Sequence, residues 1–221
     1  SLAYSFYFRI TPAVDARAYD VIAKNIVSGI GYREEISRDL AADQAITRVG
    51  PLYEYFLAGI YKIFGKHYEL VWLAQAILHA ASAWLIYLTV LLILADNDKK
   101  KRIGLWAAAI FGFYPDLIEI SAMLMTETLY LFLTCLLIYV FFAFIWRSGA
   151  RLAVALGLVT GLAVLARPPV LFLIPVILFY FWRGKLWRQA GLFLLILLMV
   201  FIPWSWRIYR FYHQLMTFGS G

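Results

Sequence analysis

Apolar positions along the 221 residues follow two patterns, and the change between them falls near residue 70. Before it, apolar residues recur at helical spacing among polar ones. Tyr19, Ile22 and Ile26 mark one amphipathic stretch that ends near Gly29 and Gly31. Leu52, Phe56, Ile60 and Ile63 mark a second, with Pro51 at a first helical position. Both are expected to be helices lying on a membrane surface. Between them, 32–50 is a charged connector with little period, and ahead of them Ala3 to Phe8 reads as the outer end of a helix.

After residue 70 the apolar runs become continuous. Leu70 to Ala95 is long enough to cross about 30 Å of hydrocarbon at roughly 1.5 Å per residue. Ile103 to Tyr114 falls short of the roughly 20 residues a span needs, so it must continue past Pro115 or sit in a thinned, protein-lined region. Thr128 to Trp146 spans, Leu152 to Ala166 and Val170 to Trp182 form a tight pair around Arg167-Pro168-Pro169, and Gln189 to Ile202 spans again. The fold class expected is all-α: a polytopic transmembrane helical bundle with surface helices in its first long loop. It forms a single membrane domain over 1–221, with that loop at 11–69 and the transmembrane helices at 70–205.

Composition excludes the soluble alternative. Hydrophobic residues make up 64% of the chain and charged ones 15%, and the mean hydropathy is +0.78. The single Cys135 rules out disulfide frameworks and thiolate clusters as organising elements. The chain opens at Ser1 without Met and is expected to be the N-terminal part of a longer protein.

Charge then orients the bundle. The loops at 96–102, 147–151 and 183–188 hold nine Lys or Arg against two Asp, whereas the other face holds eleven of each sign. The net charge of +7 therefore resides in three short loops. Positive-inside bias makes them cytoplasmic and the 11–69 loop extracytoplasmic. The basic balance is a topology signal, and nucleic acid is not an expected partner.

Ionisable groups at a membrane boundary are the first functional candidates. Asp15 opens the first amphipathic helix and reads as a helix cap or a base. Asn at Asp20, just over a turn on, is expected to cost far less turnover than Asn at Asp15. Arg48, ahead of Pro51-Leu52-Tyr53, is a solvated loop cation or a phosphate clamp, since guanidinium can bond two oxygens at once. Asp116 reads as a cap. Glu127, at the entrance of a very apolar helix, reads as a cap or as a residue supporting a site. Arg167, Arg207 and Arg210 either snorkel to the interface or bind an anion. His79 lies mid-span and reads as an interhelical hydrogen-bonder. With His67 and His213 it is too scattered to specify a metal, and no metal or cofactor is expected. Gly157 and Gly161 read as a small-residue helix contact.

Taken in order, several segments resemble the C-type glycosyltransferases that use polyprenyl-phosphate donors, in the branch of aminoarabinose transferases and protein O-mannosyltransferases. Asp15-Ala-Arg-Ala-Tyr19, followed by Ala23 and Gly29-Ile-Gly31, is similar to that family's first-loop acid motif. Arg48 before Pro51-Leu52-Tyr53 is similar to its basic residue preceding a surface helix. Tyr114-Pro115 with Thr126-Glu127, Gly161-Leu-Ala163 with Arg167-Pro168, and Pro203-Trp204 with Arg207 are similar to later segments. At the position after Arg207, where the family often has Asn, Ile208 stands. The resemblance implies transfer of a sugar from a polyprenyl-phosphate donor to a lipid, glycan or protein acceptor on the extracytoplasmic face, with inversion. It implies Asp15 and Glu127 as catalytic residues, Arg48, Tyr53, Arg167 and Arg207 as substrate-binding residues, and a bacterial or archaeal plasma membrane as the location. A transporter or flippase for a lipid-linked sugar is the competing reading. It needs no base at Asp15 and more polar residues mid-span.

Overall fold

A computed structural model describes residues 1–35, 43, 50–95 and 97–212 of the protein. Among these, all regular structure is helical: α1 (Leu2–Phe8), α2 (Asp15–Val27), α3 (Leu52–Phe64), α4 (Tyr68–Ile93), α5 (Lys100–Gly112), α6 (Pro115–Ala122), α7 (Thr126–Trp146), α8 (Ala150–Ala166), a 3-10 segment (Pro168–Leu173), α9 (Ile174–Arg183) and α10 (Trp187–Tyr212). Three helices, α4, α7 and α10, are long and apolar enough to cross a membrane. The pair α5 and α6, bent by 53°, adds a fourth if it counts as one span. Helix resumes past the short run at Ile103 with Pro115, which starts α6 because its fixed φ suits a first turn.

The structure departs from the sequence reading in three places. The pair around Arg167 is not two straight helices, because Pro168, Pro169 and Pro175 lack the N–H groups an α-helix would use, and α-helix resumes only at Ile174. The main partners of α8 are α7 and α10. The last helix also runs well past Ile202, so Pro203, Trp204 and Arg207 stand on α10 and not in a tail. Finally, α3 buries Tyr53, Leu57, Ala58 and Tyr61, while Ile63 is 73% exposed. The side of α3 with Tyr53 and Tyr61 seats on α2, while Leu52, Phe56 and Ile60 are left partly open.

Close contacts explain the central placement of α8. A Cβ on Gly157 would stand 2.6 Å from the Phe193 carbonyl oxygen, and one on Gly161 would stand 2.8 Å from the Val200 Cβ. These glycines let the α8 and α10 backbones approach as a small-residue contact does in a membrane. His79 bonds the Gly112 carbonyl at 3.1 Å and stacks on Phe111, which joins α4 to the end of α5. Ser82, Thr89 and Thr134 each donate to a carbonyl one turn back in their own helix.

Two ends of the bundle emerge. At one, Trp146 donates to the Leu92 carbonyl at 3.0 Å, and Phe181 packs on both Phe144 and Phe193. The ends of α4, α7 and α9, from which the basic loops depart, gather there. At the other end α2 and α3 pack together and cover the turn before α7 and the end of α8.

Candidate active site

The α2–α3 layer is held in place by a buried carboxylate. Asp20 accepts hydrogen bonds from Tyr61 at 2.9 Å and Tyr68 at 3.0 Å and pairs with Lys24, so one α2 side chain fastens both α3 and the start of α4. The Asp20 side chain is 5% exposed, so Asn there would withdraw a charged acceptor from Lys24, Tyr61 and Tyr68. Desolvation pushes the Tyr61 phenol well above its ordinary pKa, and the Asp20 charge adds to it. At the other end of α2, Asn25 donates to the Arg33 carbonyl at 2.8 Å and its own carbonyl takes the N–H groups of Ile30 and Gly31. Gly29 and Gly31 stand there at φ values of 79° and 98°, which only glycine adopts cheaply.

Tyr53, fully buried on α3, donates to Gln75 Oε1 at 2.6 Å. Gln75 in turn donates to the carbonyls of Ser121 at 2.9 Å and Met123 at 2.7 Å. A single glutamine inside the first span thus fixes the turn between α6 and α7. The sequence reading passed over it, although an amide in so apolar a run is itself the signal. Tyr53 has its hydroxyl occupied and its ring set edge-on to Tyr19. The bond joins α3 to α4 beneath the site, and the Tyr53 oxygen keeps acceptor capacity.

The turn so fixed leads into α7. Met125, not Glu127, occupies the N-cap position of α7, and no side-chain cap bond is made. Glu127 instead takes the Arg167 guanidinium at 3.0 Å and the Thr126 hydroxyl at 3.2 Å. Arg167 is only 31% exposed and pairs with this acid. Glu127 therefore makes no cap bond, and its partner is Arg167.

Asp15 is also not a cap. It is the first residue of α2, and Val14 holds the N-cap position with φ 47° and ψ −116°. A β-branched residue at positive φ is strained, and such strain tends to collect where function fixes the backbone. Asp116 likewise lies inside the first turn of α6, with Tyr114 at its N-cap. Asp15 lines a cleft of about 240 Å³ with residues 10–14, Ala16 and Met123, Leu124 and Met125. The cleft wall opposite Asp15 is therefore the turn that Gln75 fixes.

Tyr19 shows how these groups converge. Burial pushes its phenol up to about 12; the negative charges of Asp15, Glu54 and Glu127 push the same way, and Arg167 opposes them. The phenol stays protonated at neutral pH amid three carboxylates and a guanidinium. Glu54, fully buried in the first turn of α3, sits beside Tyr32, whose phenol is raised first by burial and next by that charge.

A second cleft, of about 270 Å³, opens beside this cluster. Pro51, Leu52, Tyr55, Leu165, Val200, Pro203, Trp204 and Arg207 line it. Arg207 lies over the rings of Tyr32 and Trp204, at 5.6 and 5.7 Å from their centroids. Leu165 faces this cleft while Arg167, two residues on, meets Glu127. Gly50 abuts the Leu165 carbonyl so closely that a Cβ would stand 2.1 Å from it. Arg48 lies outside the described residues. The structure thus brings together Asp15, Glu127, Arg167 and, in support, Tyr53, and sets Arg207 on the neighbouring cleft.

The family profile described as dolichyl-phosphate-mannose-protein mannosyltransferase matches residues 48–206. The match begins at Arg48 and includes Tyr53, Glu127 and Arg167; Asp15 and Arg207 lie outside it. No curated protein and no solved structure gives a match.

Proposed function

Because the chain belongs to the dolichyl-phosphate-mannose-protein mannosyltransferase family, C-type glycosyltransferases with lipid-linked sugar donors, we propose that its extracytoplasmic end transfers a sugar by single displacement. Asp15 takes the proton of an acceptor hydroxyl as the acceptor oxygen bonds the anomeric carbon. The bond from that carbon to the phosphate oxygen breaks, and polyprenyl phosphate leaves with the electron pair. A phosphate leaving group already bears its charge comfortably, so cations serve it better than an acid does. Arg48 and Arg207 supply them, and Glu127 holds Arg167 toward the same charge. One displacement inverts the anomeric configuration. The apolar lining of the Arg207 cleft, Leu52, Leu165 and Val200, suits the first isoprene units.

The observation that carries this reading is the gathering of Asp15, Glu127 and Arg167 around the Tyr19 phenol, next to a cleft. The transporter reading receives less support, since Ser82, Thr89 and Thr134 are turned to their own helix backbones. The test is purified protein supplied with a panel of polyprenyl-phosphate sugars and scored for released polyprenyl phosphate. Release dependent on acceptor is expected. Donor that crosses the membrane intact, with none released, would establish the transporter instead.

A further inference from the structure

At the basic end of the bundle, far from the acids just described, α9 turns into α10 around a cavity of about 480 Å³. Phe179, Trp182, Arg183, Lys185 and Trp187 line it. Three aromatic rings at 60%, 59% and 63% exposure, Phe179, Trp182 and Trp187, stand open where a membrane interface would meet the protein. Two cations share the same hollow.

The backbone adds an independent observation. The turn is closed by three hydrogen bonds, from Gly184 to Tyr180, Lys185 to Trp182 and Leu186 to Phe181. Helix ends of this kind place a left-handed residue in the turn, a position that glycine fills at least cost. Here Gly184 has φ −83° and Lys185 takes the left-handed conformation at φ 54°. The chain thus sets a lysine in the strained position with a glycine directly beside it. A positive-inside anchor needs the charge but not this placement, and an outlier of this kind points to function.

We propose that this cavity binds one anionic phospholipid of the cytoplasmic leaflet. Its phosphate lies between Arg183 and Lys185, and its glycerol and upper acyl chain lie against Phe179, Trp182 and Trp187. The charge sets the headgroup class, because a guanidinium and an ammonium complement a phosphodiester with no cationic partner of its own. The rings favour a lipid over a free anion. The inference rests on the chain's membrane location and is independent of sugar transfer.

Native mass spectrometry of the purified chain in mild detergent, titrated with dioleoyl phosphatidylglycerol or phosphatidylcholine, tests it. The anionic lipid should be retained on the order of tenfold better, as two cations near a membrane surface imply. Lys185→Gly should lower that preference while leaving thermal stability unchanged or raised, since glycine relieves the strain. Arg183→Gln with Lys185→Gly should abolish it. Lys101→Gln with Arg102→Gln, at the same end of the bundle, should leave it intact. Preference that survives the Arg183–Lys185 pair of changes overturns the proposal. Equal loss in the Lys101–Arg102 variant would reduce the effect to diffuse charge and overturn it as well. Displacement of the lipid by millimolar inorganic phosphate would make this a bare anion site and overturn it too.

Discussion

Asp15→Asn separates the catalytic account of Asp15 from a structural one, because the two differ in size. The change keeps shape and removes one negative charge from the first residue of α2. No side-chain cap bond is lost, since the N-cap position belongs to Val14. One structural loss is the favourable interaction of a carboxylate with the helix N-terminus, about 0.3–1 kcal/mol. Asp15 is half-buried and so retains much of that interaction. A general base contributes roughly 10²- to 10⁴-fold, or about 2.7–5.5 kcal/mol at about 1.36 kcal/mol per decade. The catalytic effect exceeds that helix-terminus contribution even at the unfavourable ends of both ranges, and thermal unfolding reads any further structural loss separately.

The assay pairs released polyprenyl phosphate with thermal unfolding in detergent and with donor binding. Asp116→Asn is the matched control: Asp116 is exposed, stands in the first turn of α6 and lines neither cleft described above, so it loses the same kind of helix-terminus interaction. Turnover in Asp15→Asn should fall by at least about two decades with donor binding preserved, and Asp116→Asn should leave it unchanged. If Asp15→Asn folds, binds donor and transfers sugar within a few-fold of the parent, the base assignment is wrong. Asp15 then serves only the helix, and the transporter reading moves ahead.

The remaining expectations concern the phosphate, the ion pair and the packing beneath them. Arg48→Ala should strongly weaken use of limiting donor and Arg48→Lys should recover only part of it, since an ammonium lacks the planar two-oxygen contact; nearly full turnover in Arg48→Ala refutes the clamp. Glu127→Gln and Arg167→Ala should be non-additive in turnover, because the partners meet at 3.0 Å, and additivity within about 0.5 kcal/mol would show that they act separately. Asp20→Asn should cost about 1–3 kcal/mol of stability, measured by detergent unfolding, because it withdraws a charged acceptor from Lys24, Tyr61 and Tyr68. Gly157→Val should cost a similar amount, about 1–3 kcal/mol, since the new carbon meets the Phe193 backbone, which cannot step aside.

The spans were legible because each is a local property of a continuous apolar run. The Gly157–Gly161 contact and the interhelical bond of His79 were legible for a related reason: small or polar residues in such a run have few other uses. The buried face of α3 was not. Tyr53 and Tyr61 count as weakly apolar in a periodicity, yet their hydroxyls meet Gln75 and Asp20, partners 22 and 41 residues away. A sequence displays the donor and conceals the acceptor. The fastening role of Asp20 was hidden for the same reason, as its spacing from Asp15 reveals nothing of Tyr68 on another helix. Glu127 and Arg167 were each singled out, but that they neutralise one another depends on α8 ending beside the start of α7.

That last dependence connects the packing to the chemistry. α8 is a 17-residue helix, roughly 25 Å long, and it reaches the acids only if its depth in the bundle is right. Gly157 and Gly161 set its closeness to α10, and α10 carries Trp204 and Arg207. The far end of α8 then places Leu165 on the Arg207 cleft, the Leu165 carbonyl against Gly50, and Arg167 on Glu127. A shift of α8 by one methyl width would therefore disturb the Arg207 cleft and the Glu127–Arg167 pair together. Gly50 leaves no room for such a shift, because its missing Cβ is the space the Leu165 carbonyl occupies. Substitutions at Gly50, Gly157 or Gly161 should accordingly lower donor use as well as stability, although Gly157 and Gly161 touch none of the charged side chains. A variant of Gly157 with a lowered unfolding temperature but unchanged donor affinity would show that the clefts tolerate movement of α8, and that the contacts of α2 and α3 alone hold the site.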